Sequence, residues 1–150
     1  MQRSGITLLE IIISMAILVI LLVITITAMN PGGQVAMARN SQRKFHITSI
    51  LNAIRANLAD TRTGIFICAN GDLPTSTKRM ASGAGNYDIA SCLIPNYLNI
   101  LPYDPSASSS YWTDFSNYNT GYNLVKNAST GAITVSAPYA ELGKVISITL

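Results

Sequence analysis

Hydrophobic and polar positions divide the chain into regions of different period. From Ile6 to Met29 nearly every residue is Ile, Leu, Val, Ala or Met, and the exceptions are Thr7, Glu10, Ser14, Thr25 and Thr27. Such an unbroken run predicts a helix, and about 20 apolar residues suffice to cross a bilayer. The pattern stops at Asn30-Pro31-Gly32-Gly33. Proline removes a backbone donor and glycine weakens a helix, so a kink or melted turn is expected at Pro31, Gly32 and Gly33. Helical period returns over 34–60. Ile47, Ile50, Leu51, Ile54 and Leu58 recur at one-turn spacing and form a single apolar stripe. Arg43, Lys44, Asn52, Arg55 and Asn57 fall mostly outside it and read as a solvated face. Joined, the two helical segments would cover about 55 residues and roughly 80 Å at 1.5 Å per residue.

Beyond position 60 the period changes again. Residues 61–100 are irregular, punctuated by Gly64, Gly71, Pro74, Gly83 and Gly85. Residues 101–150 read as a meander of short strands. Tyr111–Phe115 and Tyr122–Val125 alternate in part. Ile133–Ala137 and Ile146–Leu150 alternate cleanly, with turn chemistry at Asn127-Ala128-Ser129-Thr130-Gly131. One face of such strands can lie on the stripe of the second helix. The Asn127-Ala128-Ser129 sequon reads first as part of that turn.

Charge changes the picture at one point. Only 11% of the residues are charged, yet Glu10 sits inside the apolar run. Near the centre of a bilayer a carboxylate is unfavourable by about 2.5–3.5 kcal/mol, and less near an end. Something outside the helix should compensate it. The net charge of +3 is concentrated in residues 39–79, where Arg39, Arg43, Lys44, Arg55, Arg62, Lys78 and Arg79 face Asp60 and Asp72. Scattered in this way, they suit a solvated surface better than a nucleic-acid groove. Cys68 and Cys92 are the two cysteines. Spacing leaves a bridge and two buried thiols both open; a bridge would contribute about 3–4 kcal/mol on the chain-entropy account.

Three readings of the N-terminus compete. A secretory signal peptide could use Ala36-Met37-Ala38 as its cleavage site, but the apolar run is longer than such a peptide needs and the site lies well past it. An uncleaved membrane anchor fits the length. The third reading comes from Met1-Gln2-Arg3-Ser4-Gly5 followed by Ile6-Thr7-Leu8-Leu9-Glu10, which resembles the class III leader of type IV prepilins and of type II secretion pseudopilins. Leu101-Pro102-Tyr103-Asp104-Pro105 resembles a feature of major pseudopilins. The run from Thr130 to Gly143, with Ile133-Thr134-Val135-Ser136-Ala137-Pro138 at its heart, is similar to the ends of bacterial pilin-like proteins.

The resemblance implies a set of expectations. Residues 1–5 would be a leader removed by a prepilin peptidase between Gly5 and Ile6, with N-methylation on Ile6. Glu10 would neutralise the new α-amino group of a neighbouring subunit, an attraction that is strong at low dielectric. The fold class would be α+β: a long hydrophobic stalk helix, kinked or melted near Pro31, packed on an antiparallel sheet of three to four strands. Residues 6–30 would form the membrane and filament-core helix. Residues 34–150 would form the head, with an amphipathic helix over 34–60, a variable loop over 61–100 that Cys68 and Cys92 could pin, and the sheet over 101–150.

The partners implied are other copies of the chain, the peptidase, a platform protein and an assembly ATPase, and the lipid bilayer before assembly. The place implied is the cytoplasmic membrane, then an extracellular filament. A secretion pseudopilin is the alternative within the fold. A DNA-uptake pilin, with Arg39, Arg43, Lys44, Lys78 and Arg79 on phosphates, is another. Asp104 and Asp114 are isolated, so no calcium site is carried over and no cofactor is expected. His46 has no Asp or Ser at a motif spacing and reads as a surface or interface residue. No nucleophile, metal-ligand or phosphate-loop motif points to an enzyme.

Overall fold

A computed structural model describes residues 5–28, 30–61 and 63–150. Its contacts divide the chain into a unit ending at Ala36 and a unit Met37–Leu150. Of the leader expected over residues 1–5, only Gly5 lies among the described residues, and Met29 and Arg62 lie outside them.

In the first unit, helix α1 runs Leu8–Ala28 and none of its residues is buried. The helical pattern is interrupted at Asn30, next to the expected place at Pro31. Asn30 has φ 41°, and Pro31, Gly32 and Gly33 form the first turn of helix α2, Pro31–Asp60. Asn30 caps that helix: the Gly33 amide donates to the Asn30 side-chain oxygen at 3.3 Å and the Gln34 amide to the Asn30 carbonyl at 3.3 Å. Proline at the first helical position lacks a hydrogen that would have had no partner there, and its fixed φ suits a helix start. The break expected near Pro31 is present, and Pro31, Gly32 and Gly33 lie just past it, in the first turn of α2 rather than in a melted one.

In the second unit, α2 buries Ile47, Ile50, Leu51 and Ile54, and Leu58 is half-buried against the same cluster. These residues pack with Met80, Tyr118, Tyr122, Leu124, Ile133, Val135 and Ile146 from the sheet. Each fully buried aliphatic side chain contributes about 1.5–3 kcal/mol over its exposed state, so this layer of helix on sheet is the main source of the head's stability.

The sheet has five strands rather than three to four. They are β1 (Lys78–Ala81), β2 (Tyr111–Asp114), β3 (Asn117–Lys126), β4 (Ile133–Ala137) and β5 (Ile146–Thr149). All pairings are antiparallel. The long strand β3 is central. Asn119 pairs with both Ala81 and Tyr111, and Asn123 with both Arg79 and Ser136. Strand β1 therefore runs along one edge of β3, while β2 and β4 share the other. Strand β5 pairs with β4 beyond it. Residues 61–100, expected to be irregular, supply β1 and the short helix α3 (Ala90–Leu93). Lys78-Arg79-Met80-Ala81 carries no alternating pattern of its own; it is a strand because β3 offers it an edge.

Gly121 lies where β3 passes from β2 to β4. It has φ +76°, and a Cβ there would lie 3.0 Å from the Asp104 Cβ and collide with the Ser110 hydroxyl. Left-handed backbone strains any larger residue. Gly121→Ala is expected to lower the stability of the head by about 2–3 kcal/mol, read as a shift of the urea midpoint at unchanged slope.

Candidate functional site

Two arrangements concentrate the chemistry, one in each unit. The first is the start of α1. Gly5, Ile6 and Thr7 precede the helix, and Thr7 caps it: the Glu10 amide donates to the Thr7 hydroxyl at 3.3 Å and to its carbonyl at 3.1 Å. Glu10 is thus the third residue of the first turn, where a carboxylate also meets the positive end of the helix dipole. Among the described residues, a Cβ on Gly5 would touch nothing within 4 Å, so no contact among them demands glycine at position 5.

The other polar side chains of α1 turn back on its own carbonyls. Ser14 donates to Glu10 O at 2.7 Å, Thr25 to Leu21 O at 2.5 Å and Thr27 to Val23 O at 3.0 Å. Satisfied in this way, they cost little in an apolar medium. Among the described residues, the Glu10 carboxylate has no partner; it is exposed in a shallow groove beside Ile6, Ile11, Ser14, Met15 and Leu18. At about 1.5 Å per residue, the 21 residues of α1 span roughly the 30 Å of a hydrocarbon core. The helix is long and apolar enough for a membrane anchor, and a signal sequence near the N-terminus meets the same description.

The second arrangement is polar and lies inside the head. Arg43 is fully buried, which corrects its assignment to a solvated face. Its Nε and Nη2 grip Asp104 at 2.8 and 3.1 Å. Nη1 donates to Asn40 Oδ1 and to Glu141 Oε2, both at 2.8 Å, and Nη2 also donates to Ser106 Oγ at 2.5 Å. Asp104, itself buried, accepts the Ser106 and Ala107 amides on Oδ1 at 2.9 and 3.0 Å. Asn40 exchanges two hydrogen bonds with the Glu141 backbone, at 2.8 and 3.0 Å. Arg39 holds the outer oxygen of Glu141 at 2.8 Å.

The network ties α2 to the loop before β2 and to the turn before β5. Burial on its own would raise the Asp104 carboxyl, but the Arg43 bond and the two amides outweigh it and hold the group below the usual carboxylate range. The Arg43 bond, with help from Arg39, holds Glu141 low as well. The bond to Asp104 keeps Arg43 charged against its burial.

Sequence reasoning missed this cluster, although a signal was present. Asn40 and Arg43 precede Ile47 by two turns and one turn, so they continue the apolar stripe toward the helix start. Asn57 extends it at the other end. It is buried, accepts the Ile67 amide at 2.9 Å, and donates to Ile67 O at 3.1 Å and Cys92 O at 3.4 Å. Asp104 is no isolated acid, because its carboxylate is engaged by Arg43 and by the Ser106 and Ala107 amides. His46 is half-buried rather than on the surface, with Nδ1 2.8 Å from the Tyr122 hydroxyl, and burial lowers its pKa.

Cys68 and Cys92 form a disulfide. Of the five residues considered for phosphates, Arg43 is inaccessible. Arg39 is paired to Glu141, Arg79 donates to the Tyr139 hydroxyl at 3.1 Å while lying over its ring, and Lys78 donates to Gly85 O at 3.2 Å. Lys44 is exposed. Among the described residues, no three His, Cys, Asp or Glu side chains gather as a metal site.

In comparisons with known proteins, no family model matches the chain, and no curated protein and no solved structure is significantly similar to it.

Proposed function

We propose that this chain is a structural subunit of a type IV pilus or pilus-like filament, cleaved between Gly5 and Ile6 and polymerised through α1. The observation that carries the reading is α1 itself. It is an apolar helix of 21 residues with no buried position, whose one carboxylate has no partner among the described residues and lies five positions after a glycine that no contact among those residues demands. An apolar helix exposed on all sides calls for lipid or for other copies of itself. An α-amino group created on Ile6 would be a cation of the right kind for Glu10 of a neighbour. The prepilin peptidase, a platform protein and an assembly ATPase follow as partners, with the bilayer holding the subunit before assembly.

A secretion pseudopilin shares this logic. The segment Leu101–Pro105 brought that alternative forward, but in this chain Asp104 is engaged in holding Arg43, and the segment has a structural role that both readings accommodate. A DNA-uptake role would have to rest on Lys44, Lys78 and the outer parts of Arg39 and Arg79, since Arg43 is buried. No catalytic role is proposed. Mechanical shearing of cells followed by immunogold electron microscopy, with antibody against the head, is expected to label filaments in the sheared fraction. Label confined to membranes or to soluble protein contradicts the proposal.

A further inference from the structure

We infer that Asn70 is a site of spontaneous covalent modification, held in check by the clamp that the Cys68–Cys92 disulfide completes. Asn70-Gly71 is the one Asn-Gly pair in the chain. In such a pair the glycine amide nitrogen, stripped of its proton by base, can attack the asparagine side-chain carbonyl. The new N–C bond expels ammonia and leaves a five-membered imide. Water then opens the imide at one carbonyl or the other, giving aspartate or isoaspartate. Glycine favours the attack because no side chain obstructs its nitrogen, and a Cβ at Gly71 would meet only open space. Asn70 is exposed, so water reaches it.

The fold restrains each reacting group. The Gly71 amide donates to Cys68 O at 3.1 Å, closing a turn that begins at the disulfide cysteine. The Tyr87 hydroxyl donates to Gly71 O at 2.9 Å, and Asn70 Nδ2 donates to Asp88 O at 2.7 Å. Residues 68–71 are therefore strapped to residues 87–92 by two side-chain hydrogen bonds and one covalent bridge. Attack requires the Gly71 nitrogen to leave Cys68 and the Asn70 amide to leave Asp88. Opening the bridge removes the strongest of the ties that prevent this, and local opening sets the rate of such a reaction. The product is self-consistent: a carboxylate at position 70 would face the Asp88 carbonyl as acceptor against acceptor, so the tie would not re-form. A period with the bridge open would leave a permanent mark.

The test uses the full chain, either oxidised or reduced with dithiothreitol and capped with iodoacetamide, held in mildly alkaline buffer and followed by peptide mapping for aspartate and isoaspartate at position 70. Conversion is expected to be about tenfold faster in the opened chain. Tyr87→Phe, which leaves the bridge intact, is expected to speed it by a smaller factor. Asn40, buried in the Arg43 cluster and followed by Ser41, serves as the internal control. Equal rates with the bridge closed and open would overturn the inference, as would no conversion in either state. Acceleration at Asn40 as large as that at Asn70 would overturn it too, because the whole head would then have opened rather than the clamp.

Discussion

Arg43→Ala should destabilise the head by about 3–5 kcal/mol, the usual effect of removing one partner from a buried ion pair. The loss arises mainly from what stays behind. Asp104 remains buried with its two amide bonds but no cation, and Asn40 Oδ1 and Glu141 Oε2 lose a donor. In the full chain in detergent, the thermal midpoint is expected to fall by roughly 10–20 °C. Lys44→Ala and Arg55→Ala, on the exposed side of the same helix, should stay within about 0.5 kcal/mol of the parent.

The same cluster sets the response to acid. Asp104 and Glu141 have depressed pKa values in the folded head, so the unfolded chain takes up protons first. Their contribution is complete above the ordinary carboxylate range, near pH 5, and is lost as pH falls through the lower folded values. Arg43→Ala should flatten that acid limb. A variant as stable as the parent, with an unchanged acid limb, would show that the cluster is not what joins α2 to the two loops.

Glu10→Val should leave membrane insertion intact and remove assembly. Insertion becomes easier because a carboxylate is replaced by an apolar side chain. Assembly suffers because a pair of unit charges about 4 Å apart is worth roughly 4 kcal/mol at an intermediate dielectric, and that term would recur at every subunit. Filament number under electron microscopy should fall at least about tenfold, since 1.4 kcal/mol already gives that factor. Glu10 also occupies the third position of α1, where glutamine caps as well as glutamate. Glu10→Gln therefore separates the two roles. Loss of filaments in both variants points to charge pairing, whereas normal filaments in the Gln variant would reduce Glu10 to a helix cap.

How far the sequence could be read depended on whether a residue's place follows from its neighbours in the chain. The apolar run of α1 and the stripe Ile47–Leu58 declare themselves by period. So does β4, where buried and half-buried positions alternate along Ile133–Ala137. Strand β1 does not, because it is defined by the edge of β3 about 40 residues later and its own four residues lack alternation. Composition places a break at Asn30-Pro31-Gly32-Gly33, and the break is there, at Asn30, but composition does not separate melted residues from a cap and a first turn. Only the backbone of Asn30 decides between them. Sequence alone puts Arg43 on the solvated face, because a charged residue is assigned to solvent unless its partner is known. That partner, Asp104, stands 61 residues away.

The proposed subunit depends on Gly5, Ile6 and Glu10 acting together, and the N-terminus of the mature protein tests this most directly. Intact mass and N-terminal sequencing of protein recovered from its own cells should show a chain beginning at N-methylated Ile6. A chain beginning at Met1 would make α1 a permanent anchor. A chain beginning at Arg39, after Ala36-Met37-Ala38, would make it a discarded signal peptide, and either result would contradict the proposal.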